Sequence, residues 1–527
     1  MTTPGAAAGP PPDAAGPLAD PAAGLAQPES RRWLKVIDQT RCIGCHACTT
    51  ACKSENEVPL SVTRTYVKSV DVGVFPQARR AFQVTRCNQC EDAPCVAACP
   101  TGAMFTRPDG IVDFDKGACI GCKACMAACP YDAIFINPED HSAEKCNFCA
   151  HRIDAGLEPA CVVVCPTQAI LVGQADDSPA ASIAAREPVA VRRPEKGTRP
   201  KLFYRGATQA TLDPLAARRP AGDTFAWSEI QRGPGLVVPG NPGGGNSSAA
   251  VLLSYDIGHR VPWDWRVSLY TWAKGVAAGA YLVAVLGALA GYLSWRSALA
   301  VWAAPLIGAV FLAVTAGLLI GDLEHPARFV YILTRPQWRS WLVRGGVILA
   351  GYAAVLGVHL LAGITASPGL RQAVAVPGVP FAVLAAIYTA YLFAQAKARD
   401  LWQNPLLPVH LLVQAGVAGS AALLLAAAWW QPAAAGWLGW VLMGTCAVHV
   451  LLVLGEAGIS HPTEHARLAV HEMTRGRLAW VFWAGFGLVA AGITAPVAGA
   501  WAAPLALAGL AAYEHAYVQA GQCVPLA

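Results

Sequence analysis

Cysteine spacing constrains this chain more than any other feature of its sequence. Sixteen of the 18 cysteines lie between residues 42 and 165, in four groups of four. The groups are Cys42, Cys45, Cys48 and Cys52; Cys87, Cys90, Cys95 and Cys99; Cys119, Cys122, Cys125 and Cys129; and Cys146, Cys149, Cys161 and Cys165. The first and third read C-x2-C-x2-C-x3-C, in which three thiolates bind one cubane iron–sulfur cluster and the fourth binds its neighbour. Four groups therefore predict two pairs, and four [4Fe–4S] clusters.

Two other chemistries of cysteine fit this spacing less well. Structural zinc sites use C-x2-C pairs with a longer gap between them, so a triple C-x2-C-x2-C run has no purpose in a tetrahedral site. Disulfides form in oxidising compartments, and pairing so many near neighbours would strain the chain. The last two cysteines, Cys446 and Cys523, lack cluster spacing and are expected to be inert buried thiols.

The second half of the sequence is apolar enough to lie in a membrane. Charged residues make up 14% of the chain and the mean hydropathy is +0.39, with the apolar residues concentrated after residue 270. Hydrophobic runs of about 20 residues recur there, the length that a helix needs to cross the hydrocarbon core. We predict eight spans, near residues 271–294, 298–321, 341–363, 375–396, 406–430, 436–458, 478–497 and 500–520.

These features divide the chain into four parts. Residues 1–32, rich in Ala, Gly and Pro, are predicted to be disordered. Residues 33–175 form a cysteine-rich domain, and residues 176–262 form a docking extension and linker that is flexible near residues 238–248. Residues 263–527 form the membrane domain.

Positive charge is unevenly distributed over the predicted membrane loops. The side of the amino terminus holds Arg260, Arg266, Lys274, Arg328, Arg335, Arg339, Arg344, Lys397, Arg399, Arg467, Arg475 and Arg477, whereas the opposite loops hold Arg296 and Arg371. Lys and Arg are retained on the cytoplasmic side during insertion, so we expect the cysteine-rich domain and both termini in the cytoplasm. The same charges could instead dock the cysteine-rich domain. They follow the membrane boundaries, so a nucleic-acid partner is not indicated.

A possible export signal bears on the same question. The segment Ser30-Arg31-Arg32-Trp33-Leu34-Lys35 superficially resembles a twin-arginine signal. Such a signal needs an apolar stretch of about 7–15 residues directly afterwards, but the chain instead enters the first cysteine group. We therefore expect that the cysteine-rich domain is not exported.

Polar residues gather at the ends of the predicted spans that face the cysteine-rich domain. Charged residues cost about 2.5–3.5 kcal/mol each at the bilayer centre, so those that persist usually have a function or a partner. The group comprises Asp322, Glu324, His325, Arg328, Lys397, Arg399, Asp400 and Glu456, with His259 and Lys274 at the first span. Electrons and protons would meet on this face, which suits a two-electron, two-proton carrier such as quinone.

The four cysteine groups also resemble a known family. The stretches CIGCHACTTACKSENEVP, RCNQCEDAPCVAACPTGAM, CIGCKACMAACPYDAI and KCNFCAHRIDAGLEPACVVVCPTQAI look like the electron-transfer subunits of molybdopterin enzymes of the dimethyl sulfoxide and polysulfide reductase type. The resemblance implies four cluster sites. Site I is Cys42, Cys45, Cys48 and Cys165; site II is Cys52, Cys146, Cys149 and Cys161; site III is Cys87, Cys90, Cys95 and Cys129; site IV is Cys99, Cys119, Cys122 and Cys125.

The membrane half resembles a second family, the NrfD membrane subunits of polysulfide reductase. The resemblance lies in the stretches GHRVPWDW, YTWAKGVAAGAYL, GDLEHPARFVYILTRPQWRSWLVRGG, YTAYLFAQAKARDLWQNPLLP and EHAYVQAGQC. This family binds quinone near the cluster-side surface, among its first four helices. The candidate quinone residues are accordingly His259, Asp256, Tyr388, Tyr391, Asp322 and Lys274. Asp256 replaces the Asn of the family's Asn-x-x-His, and Tyr388 is preferred to Tyr391.

Each of three candidates also has a simpler interpretation. His259 could be a solvated surface histidine. Tyr388 could be an interfacial aromatic anchor. Asp322 could merely end a helix and pair with Arg328.

Taken with the resemblance, the sequence predicts an α+β ferredoxin-like domain with four [4Fe–4S] clusters, followed by an all-α membrane domain of eight transmembrane helices. The implied function is electron transfer between inner-membrane quinone and a separate molybdopterin-containing catalytic subunit, with no substrate chemistry on this chain. The direction of electron flow stays open. One alternative is a redox-driven proton-translocating subunit of a larger quinol-oxidising complex. Another is a di-haem cytochrome, but His359, His410 and His449 are interpreted as single, so no haem is expected.

Overall fold

The computed structural model describes residues 32–176, 178–217 and 251–527. Residues 1–32 were predicted to be disordered, and all of them except Arg32 lie outside these ranges. The flexible stretch predicted near residues 238–248 also lies outside them.

Short strands build the cysteine-rich domain, and the last three strands, which belong to the extension, complete its sheets. They are β1 (Trp33–Asp38), β2 (Thr65–Val72), β3 (Arg79–Arg86), β4 (Met104–Thr106), β5 (Val112–Phe114), β6 (Ile134–Ile136), β7 (Ala143–Lys145), β8 (Ile170–Gln174), β9 (Val189–Ala190), β10 (Leu202–Arg205) and β11 (Val251–Tyr255). One sheet has the order β8-β1-β10-β9 and a second has the order β11-β2-β3. β4 pairs with β5 and β6 pairs with β7 as two separate antiparallel hairpins.

The helices of this domain are short because cysteine loops interrupt the chain. They are α1 (Ala47–Glu55), α2 (Pro94–Ala98), α3 (Ala124–Ala128), α4 (Ala150–Asp154), α5 (Ala160–Val163), α6 (Pro179–Arg186) and α7 (Gln209–Leu212). The two C-x2-C-x2-C loops have matching backbones: φ is 69° at both Gly44 and Gly121, 59° at His46 and 60° at Lys123. Equal spacing has therefore produced equal loops.

The membrane domain consists of helices. They are α8 (Trp265–Leu289), α9 (Ala304–Gly321), α10 (Tyr331–Thr334), α11 (Trp341–Ile364), α12 (Pro368–Ala394), α13 (Leu407–Trp430), α14 (Ala435–Gly458), α15 (Glu464–Thr474), α16 (Ala479–Ala491), α17 (Ala495–Ala498) and α18 (Ala502–Cys523). α8 lies inside the bundle and meets α13 so closely that a Cβ on Gly279 would lie 1.7 Å from the carbonyl oxygen of Ala415. Small residues permit this close backbone approach.

Seven helical stretches in the described part of the chain are long and apolar enough to cross a membrane. The predicted seventh and eighth spans fall in a single stretch, Ala479–Cys523. Within it, α16 and α18 pack side by side, since a Cβ on Gly485 would lie 2.9 Å from the carbonyl oxygen of Gly509. The protein is thus a multi-pass membrane protein.

Two predicted span starts were wrong, and the first span also ends at Leu289 and not at residue 294. The first span was predicted to begin at residue 271, but α8 begins at Trp265 because the side chain of Asp264 accepts a hydrogen bond from the backbone of Arg266. The fourth was predicted to begin at residue 375, but α12 begins at Pro368, after the capping residue Ser367. In both cases a polar capping residue starts the helix before the continuous apolar run begins.

The two halves of the chain are in direct contact. The backbone N–H of His325 donates to the carbonyl of Ile120 (3.2 Å), and that of Gln337 donates to the carbonyl of Pro100 (2.8 Å). Lys196 pairs with Asp400 (2.5 Å). The polar ends of the second and fourth spans therefore lie against the cysteine-rich domain and its extension, as the topology predicted.

Candidate functional site

The structure brings each of the four implied cysteine sites together. The site III cysteines surround one small cavity and the site IV cysteines surround another. At site II, the side-chain amide of Asn56 lies 3.6 Å from the sulfur atoms of both Cys52 and Cys149. At site I, the thiol of Cys42 lies within electrostatic range of Cys165 and Cys45.

Backbone N–H groups point at several of these sulfur atoms. Cys119 accepts from Gly121 and Ala143, both at 3.4 Å. Cys99 accepts from Met104 at 3.3 Å. Hydrogen bonds to sulfur stabilise negative charge and help to set the potential of an iron–sulfur cluster. These loops therefore suit thiolates that hold a cluster.

The donor set suits a cubane better than a single metal ion. Among the described residues, no three His, Cys, Asp or Glu side chains converge where one ion would bind. A cubane bonds each thiolate to a different iron, so its ligands stand further apart. Burial raises the pKa of the Cys48 thiol to about 11 and that of Cys52 to about 12, so metal binding must displace protons there.

Site II differs from the others in its electrostatics. Burial alone would raise the pKa values of the Cys146 and Cys161 thiols, but the nearby cations Lys35 and Arg86 outweigh it and lower both. A guanidinium nitrogen of Arg86 lies 3.0 Å from the sulfur of Cys161. This site is therefore ready to hold negative charge.

The four sites form a row. Cys125 of site IV interacts electrostatically with Cys95 of site III, Cys87 of site III with Cys146 of site II, and Cys161 of site II with Cys48 of site I. These pairs link neighbouring sites in the order IV, III, II, I.

The two ends of the row lie in different surroundings. At site IV, the backbone carbonyl of Cys122 accepts a hydrogen bond from the indole of Trp263 (3.3 Å), and that of Cys119 accepts from Arg328 (2.9 Å). Both donors belong to the membrane domain. At site I, Cys45 is exposed, and so are two apolar residues close in sequence to its cysteines: Ile43, next to Cys42, and Val163, two residues before Cys165. The row therefore leads from the membrane domain to the outer surface of the cysteine-rich domain.

His259 lies between two carboxylates at the boundary between the two domains. Its Nδ1 is 2.5 Å from Asp132 and its Nε2 is 3.1 Å from Asp256. Burial disfavours the charged ring, but the two carboxylates outweigh burial and raise the pKa of His259 to about 9. The histidine is thus a cation at neutral pH. It lines a cavity of about 450 Å³ that also touches Trp263 and Lys123, a volume in the range of small-molecule sites.

Asp322 lies close to this cavity, through Lys123. The ammonium of Lys123 is 3.5 Å from the Asp322 carboxylate and 3.0 Å from that of Glu324. Burial raises the pKa of Asp322 to about 6, although Lys123 opposes the shift. Asp322 thus pairs with Lys123 of the cysteine-rich domain, whereas Arg328 donates to backbone carbonyls instead.

Two of the remaining candidates, Lys274 and Tyr388, lie deeper. Lys274 was predicted at the membrane surface, but it lies inside α8, where it is 1% exposed and donates to Thr389 (2.8 Å) and to the carbonyl of Ala386 (2.7 Å). That prediction was wrong because α8 starts earlier than the apolar run. The ammonium is also 5.0 Å from the ring of the buried Tyr388. Tyr391 is 38% exposed and stacks on Trp341, away from Lys274 and Tyr388.

Sequence reasoning missed several partners. Asp132 and Lys123 lie within the third cysteine motif, whose spacing indicates thiolate ligands and gives no sign of their charged partners. Glu514, which is buried near Lys274 and Thr271, shows as an acid within a predicted span. Glu514 also begins the stretch EHAYVQAGQC that resembles the NrfD family, so the sequence offered two signals for it.

The expectation for the histidines of α13 and α14 was also wrong. His410 and His449 were interpreted as single, but their ring nitrogens lie 3.0 Å apart. They come from α13 and α14, 39 residues apart in sequence. The pairing depends on which helices are neighbours, which the sequence did not show.

Known proteins match the two halves separately. Residues 78–175 match the 4Fe-4S dicluster domain family, and residues 255–508 match the family described as polysulphide reductase, NrfD. A subunit of the tetrathionate reductase of Salmonella typhimurium is 41% identical over 211 residues, which cover 38% of this chain and 81% of that protein.

Two further relatives match the cysteine-rich part. The thiosulfate reductase electron transfer subunit of Salmonella typhi is 47% identical, covering 28% of this chain and 79% of that protein. A component of the polysulfide reductase of Wolinella succinogenes is 41% identical, covering 33% of this chain and 94% of that protein. The sequence thus joins an iron–sulfur part to a membrane part.

Proposed function

Because this protein belongs to the family of iron–sulfur subunits of tetrathionate, polysulfide and dimethyl sulfoxide reductases, joined to a NrfD-type membrane subunit, we propose that it passes electrons between membrane quinone and a molybdopterin-containing catalytic subunit. The cofactors are four [4Fe–4S] clusters, at sites I to IV. Substrate chemistry belongs to the partner.

One observation carries this proposal: the row of cysteine sites joins the membrane domain to an exposed surface. Site IV receives hydrogen bonds from Trp263 and Arg328 of the membrane domain. Site I ends at the exposed Cys45, where Ile43 and Val163 offer apolar surface for the catalytic partner. The clusters supply one-electron carriers, and the protein's own residues hold them in order.

At the membrane end, the cavity beside His259 is the proposed meeting point with quinone. His259 carries a proton at neutral pH and lies between Asp256 and Asp132, so a proton could move among these three groups as quinone is reduced or quinol oxidised. Asp322 reaches the cavity through Lys123. Tyr388 and Lys274 lie deeper and would contact a quinone ring that enters from the bilayer.

We place the protein in the bacterial inner membrane with the cysteine-rich domain in the cytoplasm. The excess of Lys and Arg on the side of that domain supports this orientation. Eight crossings, with α16 and α18 as separate spans, would put both ends of the membrane domain on one side. A reporter fused after residue 527 should then be cytoplasmic and one inserted near Arg371 periplasmic. The reverse result would overturn the orientation.

Rapid mixing tests the proposed quinone reaction. The full-length protein, purified anaerobically and reduced chemically, should be reoxidised by a soluble quinone analogue, and the His259→Ala variant should react several-fold more slowly with its clusters intact. His141→Ala is the control, because His141 also lines the cavity but is 55% exposed and 3.5 Å from Glu324. Equal rates in parent and His259→Ala would place the quinone site elsewhere.

A second function, redox-driven proton translocation, is favoured by polar groups inside the helix bundle. Tyr513 donates to Glu456 (3.2 Å), and its ring contacts those of His410 and His449. A cavity large enough for about one water lies between His410 and Glu514. Sealed vesicles that release more acid during quinol oxidation than that reaction itself produces, an excess lost in Glu514→Gln, would support it. Acid release equal to that of the quinol reaction alone would exclude it.

A further inference from the structure

Two cations are buried beside site II with no acidic partner among the described residues. Arg86 is 1% exposed and Lys35 is 2% exposed. One guanidinium nitrogen of Arg86 contacts the sulfur of Cys161 (3.0 Å), but its other two nitrogens have no hydrogen-bond partner there. The ammonium of Lys35 also lacks a hydrogen-bond partner and lies 4.0 Å from the ring centre of Phe148. No described carboxylate forms an ion pair with either.

Burying these two cations costs free energy unless a negative charge lies beside them. A buried charge is normally paired, because leaving it unpaired sacrifices its hydration. The protein does pair a comparable cation nearby: Arg64, 8% exposed, lies 2.9 Å from Glu144. Arg86 and Lys35 therefore require a counter-charge, and the four thiolates of site II with their bound cluster supply it.

Within the described ranges, site II alone has two such cations. At site III, the buried Lys145 acts on Cys87 and Cys95, but its ammonium donates to the backbone carbonyls of Val112 and Cys146. At site IV, Lys123 is occupied by Glu324 and Asp322. Arg86 also lies within range of Cys42 and Cys48 of site I, but solvent at the exposed Cys45 screens it there.

We propose that Arg86 and Lys35 make the site II cluster the most oxidising of the four, so that it holds an electron between the membrane and the catalytic partner. This inference rests on the proposed function. One electron arrives from one neighbouring site, III or I, and the same electron leaves to the other, with no bond formed or broken. Each added electron increases the negative charge at site II, and the two cations stabilise that reduced state.

The consequence would be a store for one electron inside the row. A two-electron carrier such as quinol delivers its electrons to carriers that each accept one. A cluster that keeps the first electron lets the second arrive while the partner is still occupied. Arg86 and Lys35 thus raise the midpoint potential of the cluster without binding it as ligands.

Redox titration followed by electron paramagnetic resonance tests this proposal on the purified full-length protein. In Arg86→Gln, the highest of the four midpoint potentials should fall by at least the equivalent of a tenfold change in the one-electron equilibrium constant, about 59 mV. Lys35→Met, which can keep the packing against Phe148, should shift the same midpoint in the same direction. Arg86→Lys, which keeps the charge, should largely preserve it.

Arg80→Gln is the matched control. Arg80 lies on the same strand β3, but it is exposed and paired with Asp71, so all four midpoints should stay unchanged. The proposal is overturned if the highest midpoint potential is the same as in the parent protein both in Lys35→Met and in any Arg86→Gln protein that retains its clusters. It is also overturned if the substitutions change only the lowest midpoint potential. Fewer than four clusters in the parent protein would overturn the proposed function instead.

Discussion

The two halves of this protein bury positive charge in different ways. In the cysteine-rich domain, Lys35 and Arg86 are buried against thiols, and no described carboxylate pairs with them. In the membrane domain, Lys274 donates to Thr389 and to a backbone carbonyl, and Arg371 donates to the carbonyl of Ala362 (3.0 Å). Lys35 and Arg86 of the first half therefore depend on charge from a bound group, whereas Lys274 and Arg371 of the second half have hydrogen-bond partners within the protein.

This difference has a consequence for stability. Where a cluster supplies the counter-charge, folding of the cysteine-rich domain is coupled to loading of iron and sulfide. Where the helices satisfy a cation by themselves, folding needs no cofactor. The membrane domain should consequently tolerate loss of the clusters better than the cysteine-rich domain does.

The largest expected effect comes from removing one cysteine in the middle of the row. Cys95→Ser should lower the iron content by about four atoms out of roughly sixteen. It should also prevent quinone from reoxidising the clusters at sites I and II at the parent rate. Iron analysis and rapid mixing measure the two effects. Cys446→Ser, which alters a buried thiol of α14, is the control and should lose no iron.

The second prediction addresses charge in the membrane domain. Lys274→Met should lower thermal stability, because it leaves the buried Glu514 without its neighbouring cation. The double variant Lys274→Met/Glu514→Gln should recover part of the loss, with a coupling energy of about 1–3 kcal/mol. Additive effects in the unfolding temperature would show that the two residues do not interact. Iron content should stay at the parent value throughout.

The third prediction concerns pH at the domain boundary. The folded pKa of His259, about 9, lies above the ordinary value of 6.5. The stability that its charge contributes is therefore fully present below about pH 6.5 and is lost as the pH rises through 9. The quinone reaction should fall over the same upper range. Asp132→Asn should move that fall to lower pH, and an unchanged profile would show that this pair does not govern the reaction.

The smallest effect is expected from a single hydroxyl. Tyr388→Phe removes one neutral hydrogen bond to quinone, worth about 0.5–1.5 kcal/mol, so the reaction should slow several-fold. Tyr391→Phe is the matched control, because Tyr391 stacks on Trp341 away from Lys274. Equal rates for both variants would remove Tyr388 from the site.

The same contrast explains how far the sequence could predict the structure. Cysteine motifs are local, so their spacing predicted the cluster ligands, and the equal spacing of the first and third groups is matched by equal φ values at Gly44 and Gly121. The helices of the membrane domain were also predicted from local apolar runs. The starts of α8 and α12 were missed because Asp264 and Ser367, which cap them, lie outside those runs.

Polar contacts between residues that are far apart in the sequence could not be predicted from it. Asp132 meets His259 across 127 positions, and Lys274 meets Thr389 across 115 positions. Such pairs depend on how the domains dock and which helices are neighbours. The burial of Arg86 against thiols could not be foreseen either, because any of the acidic residues could have been its partner.

The proposed electron path depends on four clusters in a row between the membrane and the exposed end of the cysteine-rich domain. This is tested by the amount of iron and acid-labile sulfide per polypeptide in anaerobically purified protein, with the number of unpaired spins after full reduction. We expect about sixteen iron, sixteen sulfide and four spins per polypeptide. Stable zinc without sulfide, or only about eight iron atoms, would contradict it.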